Sequence, residues 1–317
     1  MNAAMTIISM AVILLAGFLM TRITKQLRLP NVTAYIIAGI LIGPYCFNLV
    51  PAEFVEKSEF LSDIALAFIA FGAGEFFRFD TIKKNGKSVI LITLLEALFA
   101  SLLVFVVTYG VLHLNLAFSV VLSALASATA PASTLMTIRQ TGAKGEFVET
   151  LLQVVAFDNI VALLSYSVAI SIGQHALNGG GLTIFGIILP FISNILVFLL
   201  GGVFGLVMKL MIQTKRSTDN RLIIAIALLF GFCGICAIFE ISPLLGCMSM
   251  GCIYINTTED ENMFRQLGYF SPPILLMFFV RSGMSFDLNA LVGSSSSIGN
   301  TPLIVIGILY FIARIVG

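Results

Sequence analysis

Leu151-Leu152-Gln153-Val154-Val155-Ala156-Phe157-Asp158-Asn159-Ile160-Val161-Ala162-Leu163-Leu164 sets one carboxylate, Asp158, in the middle of an apolar run. An ionised Asp at the centre of a bilayer costs about 3 kcal/mol on insertion scales. A chain keeps such a group where something charged is bound or moved, so Asp158 is the leading candidate for an ion or proton site. The surrounding composition agrees. Of 317 residues, 59% are hydrophobic and 10% charged, against about 25% charged in ordinary soluble domains. That is too little polar surface to face water, and the chain reads as an all-α, multi-pass integral membrane protein whose constant partner is the lipid bilayer. A net charge of +1 gives no argument for nucleic acid.

A helical crossing needs about 20 residues. Apolar runs place crossings near 4–22, 31–50, 59–78, 88–112, 116–138, 149–173, 182–212, 221–239, 242–257, 264–287 and 301–317. The first run lacks the basic start and small-residue cleavage site of a signal peptide, and it reads as a span. Arg22, Lys25 and Arg28 follow the first span. Lys83, Lys84 and Lys87 follow the third, Arg139 and Lys144 the fifth, and Lys215, Arg216 and Arg221 the seventh. This alternation puts the odd-numbered loops in the cytoplasm and the N-terminus outside. Glu259-Asp260-Glu261 departs from it, being acidic where a cytoplasmic loop is expected. The last apolar run, through Ala313-Arg314-Ile315-Val316-Gly317, stops mid-span, and the expectation is a chain cut before its final helices.

Ser127-Ala128-Thr129-Ala130-Pro131-Ala132-Ser133-Thr134 interrupts the fifth crossing. Proline removes a donor and clashes with the preceding turn, and in lipid the freed carbonyls need partners or must line a polar cavity. Two readings are open: a kink healed by Ser and Thr side chains, or a broken helix presenting its ends to an ion. Adjacency favours the second. The Asp158 helix follows after a short basic loop, which brings Thr129 and Asp158 to comparable depth. A carboxylate, the Asn159 amide and a hydroxyl beside unwound carbonyls make a hard-oxygen site suited to Na⁺, K⁺ or Li⁺.

Arg281, in Phe278-Phe279-Val280-Arg281-Ser282-Gly283-Met284, is a second charge inside an apolar run. It either snorkels to an interface or pairs with an anion, and Asp158 is the partner that depth suggests. Asp63 and Glu96 are further acids in apolar stretches, read as buried structural hydrogen-bonders before proton relays. Gly39, Gly43 and Pro44 mark a kinked second span built for close helix packing. Cys233-x-x-Cys236 lies in an apolar helix and reads as small hydrophobes. No pattern suggests an enzyme, a nucleotide site, a cofactor or a catalytic residue, and no metal beyond a transported alkali cation is implied.

At these residues the chain resembles the second family of monovalent cation:proton antiporters, the Kef-type exchangers. Leu29-Pro30 with Ala34-Tyr35, Ala38-Gly39 and Gly43-Pro44 is similar to that family's second helix. Ala128-Thr129-Ala130-Pro131-Ala132 resembles its unwound helix, in which Ser127, Ala130, Pro131 and Ser133 would fall, Phe157-Asp158-Asn159 stands at the place of its acidic pair, and Phe278-Phe279-Val280-Arg281-Ser282-Gly283-Met284 resembles its basic-residue helix. The resemblance covers essentially the whole chain. It implies an inverted-repeat sodium/proton antiporter fold with discontinuous crossing helices, here truncated after about eleven of thirteen spans. One transmembrane domain, 1–317, would hold core helices near 88–173 and 264–317 and dimerisation or scaffold helices near 1–78 and 182–257. The implied activity is exchange of Na⁺ or K⁺ for H⁺ in a homodimer of a bacterial-type cell membrane. Asp158, Asn159 and Thr129 would bind the ion or proton, with Arg281 as ion-pair partner in the core. One departure stands out: relatives carry the essential acid at the second position of the pair, where this chain has Asn159. A non-exchanging sensor or regulated conduit, and a sodium-coupled organic-solute carrier, are the other readings.

Overall fold

With no water to satisfy it, backbone at membrane depth must bond within its own segment, and this chain does so as helices. The computed structural model describes residues 2–27, 29–129, 131–178, 184–212, 217–288, 297–298 and 301–317; the side chains of 81–82, 84–85, 131–132, 139, 159, 174–178, 184–187, 190 and 297–298 lie outside that description. In chain order the helices are α1 (Ala3–Gln26), α2 (Asn31–Ile42), α3 (Ala52–Lys57), α4 (Phe60–Gly74) and α5 (Phe79–Phe105), which runs on as a π-helical turn over Val106–Val111. Next come α6 (Leu116–Ala126), α7 (Pro131–Thr141), α8 (Glu146–Asn178), α9 (Ile184–Met211), α10 (Thr218–Ile238), α11 (Leu244–Thr258), α12 (Glu261–Phe270) and α13 (Pro272–Met284). A short antiparallel ribbon pairs Ser297–Ile298 with Thr301–Pro302, and α14 (Leu303–Val316) follows.

Among the described residues, five helical stretches are long and apolar enough to cross a membrane, within α1, α5, α8, α9 and α10. Of the shorter apolar helices α2, α4, α6, α13 and α14, α2, α6 and α13 come from expected crossings that break. The run 31–50 stops as helix at Ile42, and the chain folds back so that the amides of Leu49 and Val50 donate to the Ile42 carbonyl, at 3.0 and 3.1 Å. The run 264–287 resolves into α12 and α13, because Pro272 brings no N–H and so begins a helix more readily than it continues one. The acidic loop also finds its explanation. Asp260 accepts a short hydrogen bond from Arg221 and one of 2.7 Å from the Tyr254 hydroxyl. Arg221, which the structure places in the first turn of α10, thus offsets its charge.

The chain divides into two compact units: Met1–Glu75, Ala132–Lys144 and Leu199–Asn289 form the first; Phe76–Pro131, Gly145–Phe198 and Ala290–Gly317 form the second. In the first, α13 packs on α2 and α11 on α4. Glycine makes these approaches possible. A Cβ on Gly39 would lie 2.0 Å from the Val280 carbonyl oxygen, and one on Gly283 2.2 Å from that of Ile36. Both contacts are with backbone, which cannot swing aside. Gly39→Ala is therefore expected to force α2 off α13 and destabilise the protein by about 1–3 kcal/mol, the usual range for overpacking. Gly231→Ala on α10, where a Cβ meets nothing within 4 Å, is the control and is expected to leave thermal unfolding in detergent unchanged or slightly raised.

In the second unit α5, α6, α8 and α14 pack together. Val104 of α5, Ala126 of α6 and Ala313 of α14 form a small buried cluster with Leu103, Val107, Leu122 and Tyr310 around it. These small and medium residues seat the far end of α14 against α5 beside the end of α6, which decides where Arg314 points.

Candidate functional site

The site grows from the gap between α6 and α7. The α6 ladder ends as the Ser127 and Ala128 amides donate to Ala124 and Leu125, both at 3.2 Å. The Ser127 hydroxyl takes the Ala124 carbonyl as well, at 2.7 Å, a local bond that competes with helix continuation. Pro131 then opens α7. The interruption is narrower than the sequence suggested. Ser127 caps α6, Pro131 and Ser133 already belong to the first turn of α7, and Ala130 lies outside the described residues. Ala128 and Thr129 are the described residues that lie between the two helices, outside regular secondary structure.

Thr129 turns to Asp158. Its hydroxyl donates a short hydrogen bond to Asp158 Oδ2, so the adjacency inferred from sequence is a direct contact. Asp158, on α8, is 1% exposed, and its other oxygen, Oδ1, is buried with no donor among the described residues. The backbone of Asn159 continues α8; its side chain is among those outside the description.

Two further charges complete the cluster, both from the same unit. Arg314 Nη2 donates to Glu96 Oε1 at 2.7 Å, to Thr129 Oγ1 at 3.3 Å and to the Ala128 carbonyl at 3.4 Å. Glu96 Oε2 is buried without a donor among the described residues, and Arg314 bridges the Glu96 carboxyl to the Thr129 hydroxyl, which in turn bonds Asp158. Glu96, expected from sequence to be a buried structural hydrogen-bonder before a proton relay, stands in this cluster, and so does Arg314, to which sequence reading assigned no role. Glu96 carries the same signal as Asp158, an acid between Leu95 and Ala97 in an unbroken apolar run. Arg314 sits in an apolar run in the same way, and its depth in the sequence was the only clue to a role.

The partner assigned to Asp158 from sequence, Arg281, is engaged elsewhere. It belongs to the first unit, where its Nε donates to the Val55 carbonyl at 3.1 Å and the Ser58 hydroxyl at 3.2 Å, and its Nη1 to the Ser62 hydroxyl at 3.2 Å. Two causes set this arrangement. Arg281 lies in the last turn of α13, where a cation is favoured by the helix dipole. The segment from α3 into α4 also presents three oxygens, of Val55, Ser58 and Ser62, to its guanidinium. Among the described residues of the second unit, Arg314 brings a guanidinium to the Asp158 cluster.

Chemically, the cluster offers two buried carboxylate oxygens without donors, a hydroxyl, a carbonyl at a helix break and one fixed guanidinium. It is a hard-oxygen set able to hold a proton or a small alkali cation.

Comparison with known proteins bears on this arrangement. The family model for the transmembrane sodium/hydrogen exchangers matches residues 10–317. Over 87 residues the chain is 30% identical to the probable Na(+)/H(+) antiporter 3 of Methanocaldococcus jannaschii, a match covering 27% of this chain and 22% of that protein. The chain thus spans about a fifth of that curated relative. A solved structure of the sodium proton antiporter MjNhaP1 from the same organism, at pH 8, superposes with a TM-score of 0.73 at 20% identity, over 100% of this chain and 78% of that one. An electron-microscopy structure of MjNhaP1 gives 0.67 at 19% identity, over 90% and 70%. At these identities the superpositions establish a common fold: this chain has the helical architecture of a sodium/proton antiporter.

Proposed function

Because the chain belongs to the family of transmembrane sodium/hydrogen exchangers, we propose that it is a secondary active antiporter, exchanging a monovalent cation, Na⁺ or K⁺, for H⁺ at Asp158. The observation that carries this reading is the carboxylate itself. It is 1% exposed, tied through one oxygen to Thr129 at a helix break, and it has its other oxygen turned to no donor. Ionised, Asp158 takes the dehydrated cation, with Asn159 and Thr129 as neighbouring ligands. Protonated, it has no charge to hold the cation and lets it go. Binding of one excludes the other, and that exclusion couples the two fluxes.

The names of the relatives support the same substrates, cations and protons. The protein works as a homodimer in a cell membrane with its N-terminus outside; the placement of Lys and Arg in alternate loops supports that orientation. The elements of the cluster, α5, α6, α8 and α14, belong to one compact unit, so their mutual geometry can persist while the site changes the side to which it opens.

The test is proton flux in proteoliposomes with an imposed pH gradient, reading its dissipation on addition of Na⁺, K⁺ or Li⁺. Cation-triggered dissipation is expected, and its order of potency identifies the ion. A folded protein that carries cations downhill, indifferent to the gradient, would establish the conduit reading instead. Thr129→Val, which deletes the hydroxyl bound to Asp158, is expected to weaken the response about tenfold, in line with the loss of a charge-assisted hydrogen bond of about 1.5 kcal/mol.

A further inference from the structure

Residue 159 is Asn, so α8 offers one carboxylate at this depth, but the structure supplies a second from another helix. We infer that Glu96 of α5 is a direct cation ligand of the exchange site, with its Oε2 and Asp158 Oδ1 together forming the seat, and that Arg314 is the positioning residue that holds Glu96 in place. The inference rests on the reading of Asp158 as the exchange carboxylate.

Three independent observations carry it. The first is the pair of orphaned oxygens. Asp158 Oδ1 and Glu96 Oε2 are both buried and both lack a donor among the described residues, although each carboxylate has its other oxygen bonded, to Thr129 and Arg314 respectively. Buried acceptors left without donors are costly, and two of them from one pair of neighbouring carboxyls mark a place where a positive species belongs.

The second is the division of labour around Arg314. One guanidinium nitrogen reaches Glu96, the Ala128 carbonyl and the Thr129 hydroxyl. It ties α5 to the helix break, turning one Glu96 oxygen toward the arginine and leaving the other for the seat. A purely structural Glu96–Arg314 pair would use both oxygens in the two-pronged geometry that guanidinium and carboxylate prefer. Here only one is used.

The third is charge. Asp158, Glu96 and Arg314 together carry one net negative charge. One alkali ion or one proton neutralises the cluster, and a divalent ion would leave an unbalanced positive charge in lipid. The seat therefore takes a monovalent cation and admits one per cycle.

The experiment is Na⁺ binding by the purified full chain in detergent. It is read as thermal stabilisation by NaCl against choline chloride at matched ionic strength, since a ligand of the folded state raises the unfolding temperature by mass action. Wild type, Glu96→Gln, Glu96→Asp and Asp158→Asn are compared. Glu96→Gln is expected to raise the half-saturating Na⁺ concentration at least tenfold. Glu96→Asp, which keeps the charge on a stem one methylene shorter, is expected to fall between it and wild type, and it carries the test if the Gln variant does not fold. Asp158→Asn is expected to lose the stabilisation. A midpoint within twofold of wild type for the Glu96 variants, with Asp158→Asn insensitive, would overturn the role of Glu96 and leave Asp158 as the exchange carboxylate. A wild type that neither responds to Na⁺ nor exchanges it would overturn both.

Discussion

In proteoliposomes with an imposed pH gradient, Asp158→Asn is expected to reduce cation-triggered proton flux at least a hundredfold, to the level of empty vesicles. Asn matches Asp in shape, and its carbonyl oxygen still accepts the Thr129 hydrogen bond. What it removes is the only titrating oxygen on α8 at this depth and one of the two negative charges that oppose Arg314. Without it a proton has no site to occupy and the cation loses a full charge of attraction. The same substitution is expected to leave thermal stability unchanged or higher. The wild-type side chain is 1% exposed with an orphaned oxygen, and an isolated charge at such depth costs about 3 kcal/mol. Lost flux with retained or raised stability separates a functional acid from a structural one. Lost flux with a collapsed protein would argue for a structural hydrogen bond, and retained flux would remove Asp158 from the mechanism.

The sequence made half of this site legible. Asp158 and Thr129 lie 29 positions apart across one short loop, and two consecutive antiparallel helices leave little choice about who faces whom. The helix break was legible because proline and its missing N–H act locally. Closure of α2 on α13 was foreshadowed by Gly39 and Gly43, since small residues are what close packing in lipid requires. Depth, by contrast, is one coordinate of three. The sequence pattern put Arg281 at a depth that suited Asp158, yet its guanidinium bonds Val55, Ser58 and Ser62, and nothing in the apolar pattern around it specifies lateral position. The guanidinium that does reach this cluster, bonded to Thr129 beside Asp158, comes from 185 positions further along the chain. Glu96 and Arg314 were each visible as charges inside apolar runs, but their meeting, 218 positions apart, depends on the seating of α14 against α5. Many apolar faces would satisfy that pattern equally well. The order of contacts among interchangeable leucine-rich surfaces is the part of a membrane fold that composition and periodicity do not write down.

Arg314→Gln is expected to be the most damaging single change to the cluster after loss of Asp158, and the double variant Glu96→Gln/Arg314→Gln is expected to be the more stable protein. Removing the guanidinium leaves two facing carboxylates, an Ala128 carbonyl without its donor and no counter-charge. For a fully buried pair, deleting one partner costs about 3–5 kcal/mol. The Arg314 and Glu96 side chains are 22% and 30% exposed, so screening lowers the expected loss to roughly 1–3 kcal/mol. Neutralising Glu96 as well removes the repulsion, and the cycle of the two single variants and the double is expected to show a coupling of about 1–2 kcal/mol in thermal or denaturant unfolding. Function is expected to follow a different rule from stability. The double variant restores a single net negative charge, now on Asp158 alone, so exchange returns in part while the half-saturating Na⁺ concentration stays at least tenfold high, because the second carboxylate of the seat is still missing. If Glu96 served only as the counter-ion of Arg314, the double variant would recover wild-type affinity along with its stability. Affinity and stability that move apart are therefore the signature of a carboxylate that binds the transported ion, and affinity and stability that move together are the signature of a salt bridge that merely holds α14 in place.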